Sequence, residues 1–182
     1  PYDKDKGYVC TLSVMVVKSR TAHLFHIGDS RIYRVSGGSL EQLTNDHRVV
    51  VSSEQSYLGR ALGINPQVEI DWQTEQVERG DVFVLATDGV YEFASAGFIA
   101  AEITRHADDL DAAARSIVGA AVEQGSPDNL TIQIVRVDDL PDGDAAEYLG
   151  QVAELPLPPL LEARMMIDGY TILREIHASS RS

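Results

Sequence analysis

Cysteine is nearly missing from this chain: Cys10 is the one thiol in 182 residues. A single thiol excludes an intramolecular disulfide and any zinc site built on paired cysteines. Cys10 stands in an apolar stretch, so a small buried core residue is expected there. Positive charge is also scarce, with 15 Lys and Arg against 28 Asp and Glu, a formal net charge of −13 at pH 7. No basic run offsets that balance, which disfavours nucleic acid and anionic membranes as partners. No apolar run approaches the ~20 residues that cross a bilayer. The opening residues, PYDKDKGY, are polar and charged and do not make a secretory leader. A cytoplasmic protein is expected on these grounds. An initiator Met is lacking too, and we expect a piece of a longer chain. Gly and Pro, at 14 and 7, are too few for a collagen-like or Pro-rich chain.

What is present suits one globular core: 44% hydrophobic and 24% charged residues. Tyr8–Val17 is rich in β-branched and apolar residues and predicts a strand buried on both faces. Strands are also predicted over Thr21–Ile27, Ser30–Val35 and Ser39–Leu43, the last two joined by a Gly37-Gly38 hairpin turn. Thr44–Pro66 has no sustained period and reads as irregular. Gln67–Val77 alternates, with Val68, Ile70 and Trp72 on one face, and Asp81–Thr87 is the best buried strand in the sequence. Ser95 predicts an N-cap for a helix over Ala96–His106, and Asp108, Asp109 and Asp111 favour the start of a second over Ala112–Gln124. Gly125 ends that helix, and Leu130–Val137 alternates as a final strand. From Asp138 to Ala163 there is no Lys or Arg, and Leu155–Pro159 is Pro-rich, which predicts an extended linker. The expected organisation is a domain over 1–138, a linker over 139–164 and a further segment over 165–182.

Three Asp-centred breaks stand beside apolar strands: Gly28-Asp29-Ser30-Arg31, Thr87-Asp88-Gly89 and Ser126-Pro127-Asp128-Asn129. Each alone reads as a turn, because Asp and Asn bond their own backbone and Gly accepts positive φ. Their shared position at strand ends gives them a second reading. A rigid rim can aim a carboxylate at a cation. If Asp88 and Asp128 converge, they offer hard oxygen ligands suited to Mg²⁺ or Mn²⁺ rather than zinc.

The segments IGDSRIYRV, LTNDH, LGRALG, GDVFVLATDGVYEF and SPDNLTIQIV occur here in order. In this the chain resembles the metal-dependent type 2C protein phosphatases (the PPM family) from about Tyr8 to Val137. The resemblance implies an α+β fold, a four-layer α–β–β–α sandwich with its metal centre at one edge of the two central sheets. It implies metal-dependent hydrolysis of phosphoserine and phosphothreonine in proteins, through water activated by two Mn²⁺ or Mg²⁺ ions. By the resemblance Asp88 and Asp128 match carboxylates of the two-metal centre. Asp29 matches an Asp that, with the one at Asp88, holds a third and weaker ion. Asn129 stands beside a ligand and is expected to orient Asp128, and Gly89 stands beside Asp88. Arg31 is expected to pack or pair near Asp29. No Cys or Ser nucleophile is called for.

The departures carry expectations of their own. The family's phosphate-binding Arg and its DGxGG-type segment, whose Asp bridges both metals, do not occur in these residues. The 182 residues alone are therefore expected to be inactive. Arg48–Tyr57 is too short for the family's helical flap, and an open cleft is expected. IDGYTILREIHASSRS is similar to the beginning of a protein kinase domain, with a strand over Tyr170–Ile176. That implies a downstream kinase as a partner in the same chain, beside a phosphoprotein substrate. The alternative is a non-catalytic, phosphatase-like module that regulates the fused kinase. Among the histidines, His47 reads as a satisfied loop residue, and His23 and His26 face opposite sides of their strand.

Overall fold

The computed structural model describes residues 8–52, 55–141, 166–167, 170–171 and 173. The chain divides into two compact units, Pro1–Asp142 and Gly143–Ser182. In the first, nine strands and three helices follow one another: β1 (Leu12–Lys18), β2 (Thr21–Ile27), β3 (Arg31–Ser36), β4 (Ser39–Gln42), β5 (Arg48–Ser52), β6 (Gln55–Leu58), β7 (Asp71–Gln76), β8 (Val82–Ala86), α1 (Asp88–Tyr91), α2 (Ala96–Arg105), α3 (Leu110–Glu123) and β9 (Ile132–Arg136). All the strand pairs are antiparallel. They build a three-stranded sheet in the order β1-β2-β7, a four-stranded sheet β4-β3-β8-β9, and a separate β5-β6 hairpin. In the second unit, β10 (Met166–Ile167) pairs with β11 (Tyr170–Thr171). The remainder of the strand expected over Tyr170–Ile176 lies largely outside the described residues.

The fold is α+β, and β8 explains how its layers hold together. Its side chains alternate across the sheet. Phe83, with Leu85 beside it, joins Ala22, Leu24, Ile32, Val77 and Val137 in a cluster between the two sheets. Val84 and Ala86 turn the other way, into a cluster with Val90, Ile99, Ile103 and Ile117 under the helices. Phe83 and Val84 are both fully buried, so one strand feeds two cores. Burying a side chain of that size contributes roughly 1.5–3 kcal/mol. Sheet, sheet and helices thus form three successive layers among the described residues.

The helices obey the local signals. Ser95 Oγ accepts from the N–H of Phe98 at 3.3 Å and caps α2, while Asp109 Oδ1 accepts from Ala112 at 2.9 Å and caps α3. The two helices are locked by a buried carboxylate. Glu102, 1% exposed, accepts from Ser116 Oγ at 2.7 Å and pairs with Arg105. The Gly37-Gly38 turn has φ of +55° and +81° and joins β3 to β4.

Three expectations are corrected. The first strand is not buried on both faces. It begins at Leu12, sits at the edge of its sheet, and leaves Leu12 40% and Val16 48% exposed. Cys10, just before it, is exposed as well, bridged through its backbone to Leu62. Composition signals a strand, but sheet position decides how many of its faces are covered. Second, the strand expected over Gln67–Val77 begins only at Asp71, so Val68 and Ile70 precede it, and Trp72 faces outward and stacks on His23 with ring centroids 6.3 Å apart. Third, Thr44–Pro66, read as irregular, contains the β5-β6 hairpin.

Candidate functional site

The site begins where β2 ends. Gly28 has φ of +117°, and a Cβ there would lie 2.4 Å from the Thr11 side chain, so only glycine fits this corner. Its backbone grips the following loop twice. The Gly28 carbonyl accepts from the N–H of His47 at 2.8 Å, and its own N–H donates to His47 Nδ1 at 3.1 Å. His47 is buried, and its Nε2 meets Asp71 Oδ2 at 2.9 Å. These bonds hold the start of β5 beside Asp29.

Asp88 stands at the end of β8 and opens the one-turn helix α1. Thr87 leaves that helix without a side-chain cap because its hydroxyl is committed to the neighbouring loop. Thr87 Oγ1 donates to the Asn129 carbonyl at 3.2 Å and accepts from the N–H of Thr131 at 3.1 Å. Ser126 Oγ donates to the Gly89 carbonyl at 2.8 Å, tying the other side of the loop. Gly89 packs so closely that an added Cβ would stand 2.8 Å from the Asn129 carbonyl oxygen and 3.3 Å from Asp128 Cβ. Missing side-chain volume at residue 89 is what lets the Asp128 loop lie against Asp88.

Each carboxylate is aimed by a main-chain N–H next to it. Gly89 N donates to Asp88 Oδ1 at 2.9 Å, and Asn129 N donates to Asp128 Oδ1 at 2.7 Å. The Asp88 carboxyl is pushed above the usual range by burial and by the charge of Asp29, with Asp128 adding to the effect. By geometry, Asp29 and Asp88 are bridged by one side chain, and Asp128 lies against Gly89 next to Asp88.

Arg48, which the sequence reading did not single out, is the cation of this cluster. Its Nε donates to Asp29 Oδ2 at 2.8 Å, one terminal nitrogen to Asp88 Oδ2 at 2.9 Å, and the other to Glu92 Oε1 at 2.7 Å. Glu92 was also missed, although its spacing of four from Asp88 is a legible helical signal. Arg48 gave a weaker one, a basic residue directly after Asn45-Asp46-His47. Arg31 does not pair with Asp29. It makes two bonds to Asp46, at 2.8 and 2.7 Å, and lies 3.7 Å over the Tyr91 ring. Tyr91 in turn donates its hydroxyl to the Asp29 carbonyl at 2.8 Å, bracing that residue through its backbone. Among the described residues, no group of three or more His, Cys, Asp or Glu side chains is arranged to hold a metal ion.

The family profile described as protein phosphatase 2C matches residues 4–124, a span that includes Asp29, Arg48 and Asp88. The chain belongs to the protein phosphatase 2C family. It is similar to the protein phosphatase PhpP of Streptococcus pneumoniae, 26% identical over 149 residues, which make up 74% of this chain and 60% of PhpP. Among solved structures it is similar to PppA of Pseudomonas aeruginosa, described as a key regulatory component of T6SS, with TM-score 0.64 and 32% identity. That match covers 69% of this chain and 56% of PppA. It is also similar to the catalytic domain of the serine/threonine protein phosphatase PstP solved with two manganese ions, with TM-score 0.63 and 26% identity. There 72% of this chain and 60% of that one are covered. The chain thus spans about 60% of the length of the curated relatives it matches first. Curated relatives from Listeria monocytogenes and Mycobacterium tuberculosis are named serine/threonine phosphatases.

Proposed function

We propose that this chain supplies the Asp88–Asp128 side of a metal-dependent centre that hydrolyses phosphoserine and phosphothreonine in proteins. The observation that carries the reading is the apposition of Asp88 and Asp128 through the Gly89 contact. The donors fit Mn²⁺ or Mg²⁺ in kind, being hard carboxylate oxygens on rigid strand ends. In number they fall short, with no third donor converging among the described residues. When bound, a pair of such ions supplies a water of lowered pKa and offsets charge on the phosphoryl oxygens. The chain's own part is to hold the ligands. Gly89 and Asn129 each fix one carboxylate oxygen through a main-chain N–H, and the Thr87 and Ser126 hydroxyls keep the two loops together. Asp29 joins Asp88 as a ligand for a third ion on the same reading.

The short donor set supports the further proposal that the 182 residues alone are inactive. Isothermal titration with Mn²⁺ tests the ligand assignment, since heat should appear in the parent chain and diminish in Asp88→Asn and Asp128→Asn. Unchanged heats in both variants would reject it. Hydrolysis of p-nitrophenyl phosphate by the chain in Mn²⁺ at a rate clearly above buffer would reject the inactivity.

One observation favours a second reading, a phosphatase-like module that regulates a fused kinase: the carboxylates are already neutralised in part by Arg48. On either reading we take 1–138 as the phosphatase-like domain, 139–164 as a linker and 165–182 as the beginning of a kinase domain in a cytoplasmic protein. The kinase assignment rests on the resemblance of IDGYTILREIHASSRS. Autophosphorylation by the intact gene product, lost when its sequence beyond residue 165 is removed, is the expected result.

A further inference from the structure

Arg48 holds more carboxylates than any other base among the described ion pairs, three against one for each of the others. It is not a surface side chain that has settled on a convenient acid. The residue before it is fixed from both sides, by the His47 bonds to Gly28 and by the Gly59 N–H, which donates to the His47 carbonyl at 2.7 Å, and Arg48 itself pairs with Leu58 at the base of the β5-β6 hairpin. From that base the guanidinium reaches between two strand ends, spending Nε on Asp29 and a terminal nitrogen on Asp88. A planar fork with fixed charge is suited to bridging carboxylates in this way.

The bridge has a consequence for cations. The Oδ2 atoms of Asp29 and Asp88 each accept from Arg48, so the oxygens through which the pair would grasp an ion already face a positive group. A small divalent ion binding both oxygens at about 2.0–2.6 Å needs the same space and repels the guanidinium. We propose that Arg48 is a built-in cation that competes with divalent metal for the Asp29–Asp88 pair, so that metal enters only when this side chain withdraws. The proposal rests on the reading of Asp29 and Asp88 as ligands given above. It goes beyond that reading by assigning a residue that opposes metal uptake at one part of the site.

The test is Mn²⁺ binding to the 182-residue chain, followed by the electron paramagnetic resonance signal of the free ion. Four proteins are compared with the parent: Arg48→Gln, Arg48→Lys, Arg48→Gln with Asp29→Asn, and Asp128→Asn. Arg48→Gln should tighten Mn²⁺ binding by about 10- to 100-fold, the scale of the charged hydrogen bonds that the ion no longer has to displace. Adding Asp29→Asn should cancel that gain. Arg48→Lys, which keeps the charge and loses the fork, should fall between, and it serves if Arg48→Gln does not fold. Equal affinity in the parent and both Arg48 variants overturns the proposal. If Asp128→Asn still weakens Mn²⁺ binding in that case, the ligand reading stands without it. If no protein in the series binds Mn²⁺ at millimolar concentration, both are overturned. A gain in Arg48→Gln that survives Asp29→Asn also overturns it, because the freed oxygens would not then be those of Asp29.

Discussion

Replacing Gly89 by Ala should cost more than its single methyl suggests. The added Cβ would lie 2.8 Å from the Asn129 carbonyl oxygen, where ordinary contact begins near 3.4 Å, so a displacement of about 0.6 Å is required. Asp128 Cβ and Leu130 Cδ2, both at 3.3 Å, leave little room on the other sides. The loop cannot retreat freely, because the Thr87 hydroxyl holds Asn129 and Thr131, and Ser126 holds Gly89 itself. Overpacking of this kind costs about 1–3 kcal/mol, and the gain from removing a helical glycine offsets roughly 0.5–1 kcal/mol. A net loss of about 1–2 kcal/mol lowers the melting temperature by roughly 4–10 °C in a domain of this size. Gly119→Ala is the control. It lies within α3 with nothing within 4 Å of its added Cβ, and should gain about 0.5–1 kcal/mol. Urea unfolding followed by circular dichroism measures both. If the two substitutions change stability in the same direction and by similar amounts, Gly89 is not the close-contact point between the Asp88 and Asp128 loops.

Three other outcomes follow from the same packing. Glu102→Ala removes a buried carboxylate from Ser116 and Arg105 and should destabilise by about 2–4 kcal/mol. Combined with Ser116→Ala, the loss should be smaller than the sum of the single losses, and strict additivity in urea titrations would count against the α2–α3 lock. Thr44→Val leaves the buried N–H of Ile32 without the hydroxyl it donates to at 3.0 Å, a loss of about 1–3 kcal/mol. Amide exchange at Ile32 should quicken, and unchanged protection there would refute the assignment. For acid stability, burial pulls the Asp46 carboxyl up, but its bonds to Arg31 and the charges of Arg31 and Arg48 outweigh this and hold it below the usual range. A depressed carboxyl contributes stability above its unfolded pKa of about 3.9 and loses it as pH falls through the folded value. The stability gap between the parent and Arg31→Met should therefore be full near pH 6 and close below about pH 4. A gap of the same size at pH 3 would show that Arg31 acts by packing on Tyr91 instead.

What was written locally in the chain was legible. Ser95 caps the helix it was expected to cap, Asp109 caps the next as one of three Asp residues expected to favour its start, and Gly37-Gly38 turns where the glycines stand. Asp81–Thr87 contains the doubly buried strand β8. The three acidic strand ends, Asp29, Asp88 and Asp128, could likewise be picked out, because each breaks an apolar run within a residue or two. The apolar composition of Tyr8–Val17 was equally plain, but it did not reveal that β1 lies at a sheet edge. The short strands of the β5-β6 hairpin carry no sustained period, so no pattern announced them. Arg48 lay 19 residues from Asp29, 40 from Asp88 and 44 from Glu92. Caps, turns and periodicity act between residues a few positions apart, and they are encoded in order along the chain. Which base meets which acid depends on the backbone bonds from Gly28 to His47 and on the space left by Gly89. Those contacts exist only after the sheets have paired.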